Sequence, residues 1–152
     1  MTRTIVIGLG NSILTDDGVG IHAARLILKH IPEGITVTEV HAGGLRLMDA
    51  MAGYDRAIII DAMQSGQEPG TIQRFTPADM HATRNVTSTH DTSLATALEM
   101  ARMLGMHVPT DVTIWGIEAR DAVNFGEELS AEVRAAMERV VRDVMDEIEV
   151  AA

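Results

Sequence analysis

Two kinds of hydrophobic pattern alternate along this chain. Short, nearly continuous apolar runs suit strands buried on both faces, and between them apolar residues recur every three or four positions, as on the buried stripe of a helix. "RTIVIGL" (3–9) reads as a first strand, and Val19, Ala23, Leu26, Ile27 and His30 follow at helical spacing. "GITVTEVH" (34–41) is a second strand, "LRLMDAMAG" (45–53) a short helix, and "RAIIIDA" (56–62) the most strand-like run, which places it at the centre of the sheet. "SGQEPG" (65–70) is too short for a helical crossover, so the strand "TIQRFT" (71–76) is expected to run antiparallel to a neighbour. "PADMHATRNVTSTH" (77–90) has no sustained period and reads as a long loop. Leu94, Ala97, Leu98, Ala101 and Leu104 stripe the next helix, with Gly105 as its stop signal, and "DVTIWGI" (111–117) is the last strand. Ser130 is the expected N-cap of a final helix with Val133, Met137, Val140, Val141, Val144 and Ile148 on its core face. The alternation predicts an α/β fold with a mixed sheet.

Composition narrows this picture. A chain of 152 residues with 46% hydrophobic residues suits one domain with a real core, and no apolar run approaches the ~18 residues of a membrane span. No basic region and apolar stretch precede the first strand, so the expectation is a cytoplasmic protein with no membrane association. The absence of cysteine excludes disulfides, thiolate metal sites and a cysteine nucleophile, leaving His, Asp, Glu and main-chain oxygens as metal ligands. A net charge of −10 with only 12 Lys and Arg, and 3% aromatic residues, argue against nucleic-acid binding.

The glycine-rich stretch "IVIGLGNSILTDDGVG" (5–20) raises the question of what it holds. A dinucleotide fingerprint needs a third glycine where Ile13 stands, and no Gly-Lys-Ser/Thr follows, so neither nucleotide motif is present. Asp16 and Asp17 would repel a phosphate. At an exposed helix start they would complement its partial positive charge, worth about 0.3–1 kcal/mol each. Another reading comes from the sheet edge. In a parallel sheet the carboxyl ends of the strands share one edge, where ligands bind near the switch in strand order. Asp17 in the loop after the first strand and Asp61 at the end of the third should both face that edge. A carboxylate behind four apolar residues is costly unless paired, hydrogen-bonded or bound to metal. His90, at the end of the long loop, would complete a set of two carboxylates and an imidazole suited to zinc or nickel with open coordination sites. His22, His30 and His107 read as surface or helix-end residues, His81 as a loop residue near the site, and no HExxH pair is present.

At these residues the chain resembles the hydrogenase maturation proteases, endopeptidases that trim the C-terminal extension of the nickel-iron hydrogenase large subunit. "IVIGLGNSILTDDGVG", "AIIIDAMQSGQEPGTI" and "TSTHDTSLATAL" carry the resemblance, which runs from the first strand to the last helix. It implies a three-layer α/β/α sandwich of the phosphorylase/hydrolase-like kind, with helices on both faces of a mixed, mostly parallel five-stranded sheet. It implies Asp17, Asp61 and His90 as the positions that meet a divalent metal, the nickel of the precursor, for which zinc or cadmium can substitute. It also implies the precursor as partner, no organic cofactor, and Asp17 or Asp61 as the base that activates water. A monomer is expected. Two departures from the family pattern stand out. Asp17 replaces a frequent Glu, and "HAGG" (41–44) replaces an Asp-x-Gly-Thr/Ser pattern, which makes His41, alongside Asp16, a candidate recognition residue. A metal-binding relative without proteolytic activity and a metal-dependent hydrolase of small substrates are the alternatives. A deep small-molecule pocket would favour the latter, and an open cleft the protease.

Overall fold

The computed structural model describes residues 2–79, 83–86 and 93–151. Five strands, β1 (Thr4–Leu9), β2 (Ile35–Val40), β3 (Arg56–Met63), β4 (Ile72–Phe75) and β5 (Asp111–Glu118), form one sheet in the order β2-β1-β3-β5-β4. All neighbours are parallel except β4, which runs antiparallel to β5, with Ile72 opposite Ile117 and Phe75 opposite Ile114. The short turn-rich connection after β3 has the consequence expected of it: it cannot carry a parallel crossover.

Helices cover both faces. α1 (Val19–Leu28) and α4 (Ala131–Ala151) pack on one side through Val19, Ala23, Ile27, Val133, Val140 and Val144, which meet Val6, Ile58 and Ile60 of the sheet. α2 (Leu45–Met51) and α3 (Leu94–Met103) cover the other through Leu47, Met51, Leu94 and Leu98, against Ile5, Ile7 and Ile59. Successive strand residues point to opposite faces, so strands apolar at every position, such as β1 and β3, supply both cores at once. Burial of those strands follows: all of β1 and seven of the eight residues of β3 are buried.

α1 lies unusually close to the sheet. A Cβ on Gly8 would collide with the carbonyl of Gly20, and one on Gly20 would overlap the carbonyl oxygens of Ile60 and Leu9. Main chain therefore rests on main chain where helix meets sheet.

β1 is followed in space by β2 on one side and β3 on the other, so strand order reverses between β1 and β3. That crevice is where a parallel α/β sheet presents its carboxyl-end loops to a ligand. β3 runs two residues beyond Asp61, to Met63, so Asp61 does not end its strand as the sequence pattern suggested. Pairing with β5 carries the ladder on, Ala62 opposite Ile117 and Met63 opposite Glu118.

Candidate active site

The loop after β1 folds back on itself. Gly10 adopts a φ of +145°, and a side chain there would strike the carbonyl oxygen of Asp17. The Asn11 N–H donates to both the main-chain oxygen of Asp17 (3.3 Å) and its carboxylate (3.1 Å). A single 3₁₀ turn, Thr15–Gly18, then delivers the chain into α1. The glycine-rich loop thus wraps a carboxylate of its own chain.

Asp17 and Asp61 come together at the switch in strand order. Asn85 joins them: its side-chain amide donates to Asp17 Oδ1 (2.7 Å) and to Asp61 Oδ1 (2.8 Å), and its main-chain N–H donates to Asp61 Oδ2 (2.6 Å). The Ala62 N–H adds a bond to Asp61 Oδ1 at 2.8 Å. Arg84 approaches from the same segment, its Nε 2.9 Å from Asp17 Oδ1. Its guanidinium also donates to the Gln64 side chain, and its main-chain N–H to the Ala62 carbonyl (2.8 Å). Both carboxylates are buried, Asp61 fully and Asp17 to 2% exposure, whereas the Arg84 side chain is 27% exposed.

This enclosure changes the chemistry of Asp61. Burial pushes its carboxyl up to about 7, and the neighbouring Asp17 charge pushes the same way, while the hydrogen bonds from Asn85 pull it back. The outcome is a carboxyl able to exchange a proton near neutrality, as a general base requires.

Asp16 has a different place from the one its neighbour has. As part of an exposed helix start it would contribute little, but it is fully buried. It turns away from Asp17 into the connection between β5 and α4. There Oδ2 accepts from Arg120 N–H (2.9 Å), Asp121 N–H (3.0 Å) and the Ser130 hydroxyl (2.8 Å), and Oδ1 accepts from Ser130 N–H (2.8 Å). Its own N–H donates to the Asp121 carbonyl at 2.8 Å. Asp16 is an internal tie, not a recognition residue facing the cleft. Ser130 accordingly spends its hydroxyl on Asp16, while its carbonyl accepts the Arg134 N–H of α4.

His41 follows β2 at the same sheet edge and is exposed. His90 and His81 lie outside the described residues. Among the described residues no group of three His, Asp or Glu side chains is arranged to hold a metal ion. His107 is exposed and contacts Asp55 at 2.8 Å; His22 is half-buried on α1, and burial lowers its pKa from the ordinary value. An open apolar groove of about 600 Å³ lies between α2 and α3, bordered by Gly44, Leu45, Met48, Val86, Met100 and Leu104. It begins one residue beyond Asn85. Arg84 and Asn85 were not singled out by sequence reasoning, because a loop residue that folds back onto a distant carboxylate leaves no periodic trace. The polar run between the strand at 71–76 and the following helix was their one signal.

A fold of this type with a buried acid pair at the sheet switch point has close counterparts. The chain matches the family model described as hydrogenase maturation protease over residues 21–147, and it belongs to that family. The hydrogenase expression/formation protein HupD of Rhizobium leguminosarum bv. viciae is 31% identical over 92% of this chain and 73% of its own length. The hydrogenase 2 maturation protease of Escherichia coli is 29% identical over 76% and 72% of the two chains. In structure, the hydrogenase maturating endopeptidase HybD from Escherichia coli superposes with a TM-score of 0.80 at 26% identity, covering 99% of this chain and 94% of that one. The expected three-layer architecture, the mixed five-stranded sheet and the assignment to the maturation endopeptidases are thereby borne out.

Proposed function

We propose that this endopeptidase removes the C-terminal extension of a nickel-loaded hydrogenase large-subunit precursor, and that it recognises the nickel through Asp17, Asp61 and His90. The observation that carries this reading is the pairing of Asp17 and Asp61 through one asparagine amide at the switch in strand order. Two carboxylates are oxygen ligands suited to a borderline divalent ion, and the imidazole of His90 supplies the nitrogen. The nickel arrives as part of the substrate. Asp17 or Asp61 serves as the base that takes a proton from the attacking water. Main-chain N–H groups or the metal polarise the scissile carbonyl. His41, exposed at the same edge, is placed to contact the precursor.

The apolar lining of the adjacent groove supports a peptide substrate over a small polar one. No described helix is long and apolar enough to cross a membrane. The test is incubation of the purified protein with nickel-loaded precursor and mass analysis of the precursor's C-terminus. Loss of a single C-terminal fragment is the expected result; an intact precursor after prolonged incubation refutes it.

A further inference from the structure

The position of Arg84 bears on how the acid pair is kept for its substrate, an inference that rests on the metal-recognition reading above. Asp17 is buried and offers Oδ1 to only two groups in the described structure, the Asn85 amide and the Arg84 guanidinium. The amide is neutral, and it holds Asp17 and Asp61 at a fixed separation. The guanidinium is a cation placed on the oxygen that a metal would need. Its side chain is 27% exposed against 3% for Asp17, and among the described residues it is anchored on its outer side by the Gln64 side-chain carbonyl. It can therefore leave without disturbing the main-chain bond from Arg84 to Ala62.

We propose that Arg84 is a specificity-determining residue that occupies Asp17 as an internal cation, so that free divalent ions compete poorly for the acid pair and the metal centre of the bound precursor displaces the guanidinium. Arg84 suits this role better than lysine. A guanidinium stays charged at all relevant pH values, and its planar fork engages the Asp17 and Gln64 oxygens together. Exchange of one cation for another also keeps the buried carboxylate compensated throughout, avoiding an unpaired buried charge. A ligand that must displace a resident group binds more weakly in proportion to the fraction of molecules already free of it.

Calorimetric titration of the free protein with nickel chloride tests this directly. Arg84→Gln should bind nickel at least about fivefold more tightly than the parent, as removal of the competing state requires. Gln64→Ala, which releases the outer anchor, should shift affinity in the same direction by less. The gain should vanish in the Arg84→Gln, Asp17→Asn double variant, and melting curves should show all these chains folded. Unchanged nickel affinity in both single variants overturns the proposal, as does a gain that survives loss of the Asp17 charge. Failure of the parent protein to trim its precursor would count against the proposed function instead, since the titration requires no substrate.

Discussion

Replacing Asp16 with asparagine is the sharpest test of the burial argument, because at an exposed helix start its charge would contribute only about 0.3–1 kcal/mol. Four donors converge on the Asp16 carboxylate, three on Oδ2 and one on Oδ1. Asparagine offers one oxygen. In the better of its two orientations the amide nitrogen takes the place of Oδ1, opposing the Ser130 N–H. One buried donor is then unsatisfied, at a cost of about 1–3 kcal/mol, and the three remaining bonds lose the extra strength that a charged acceptor gives, of the order of 1 kcal/mol each before relief of the buried charge is counted. The expected net loss is about 2–4 kcal/mol. For a domain of this size that corresponds to a fall in Tm of roughly 4–16 °C. Urea denaturation followed by circular dichroism, with thermal melts in parallel, measures it. Glu132→Gln is the control: Glu132 is exposed in the first turn of α4 and pairs with Arg120, so its change should be small beside that of Asp16→Asn. If Asp16→Asn were no more destabilising than that control, Asp16 would be a surface charge at a helix start and the account of the β5–α4 connection would be wrong.

Three further outcomes follow from the same geometry. Asp61 binds a proton more tightly in the folded state than its ordinary value of 3.8 allows, so its contribution to stability is fully present below that value and is lost as pH rises towards about 7, by a few kcal/mol at most. Urea midpoints taken between pH 5.5 and 8 should fall with pH, and an upward or flat trend would contradict the assignment. Gly20→Ala should cost about 3 kcal/mol or more, because its methyl group meets the carbonyl oxygens of Ile60 and Leu9 and not a side chain that can swing away; a near-neutral variant in thermal melts would show that α1 yields easily. Crystals soaked in nickel, zinc or cadmium salts at concentrations high enough to displace the Arg84 guanidinium should show density about 2.0–2.4 Å from Asp17 and Asp61, with His90 as a third ligand, and metal bound only elsewhere would remove the metal-site reading.

The sequence made the layered fold legible because its strands are buried on both faces. "IVIGL" and "AIII" have no polar position to explain away, and the spacing of Val133, Met137, Val140 and Val144 leaves one choice of core face for α4. The meeting of Asp17 and Asp61 was equally accessible, since both follow from strand ends sharing an edge. What did not show was the direction of Asp16. That depends on a 3₁₀ turn entered through Thr15 at a φ of +49° and on partners more than 100 residues away. The same holds for Asn85 and Arg84, whose roles exist only once the loop has closed over the sheet edge. Periodicity reports on faces of regular elements, and these residues belong to none.

The bare contact between Gly8 and Gly20 fixes more than the tilt of a helix. Because α1 touches β1 and β3 through main-chain atoms at Gly8 and Gly20, the approach of the Asp17 loop to β3 is limited by peptide geometry as well as by the Asn85 amide that joins the two carboxylates. Val133, Val140 and Ile148 lie outside that contact, so an apolar exchange among them alters how firmly the protein holds together without entering the main-chain contact. Fold stability and the spacing of the acid pair thus draw on different atoms in this molecule, and two absent methyl groups keep them apart.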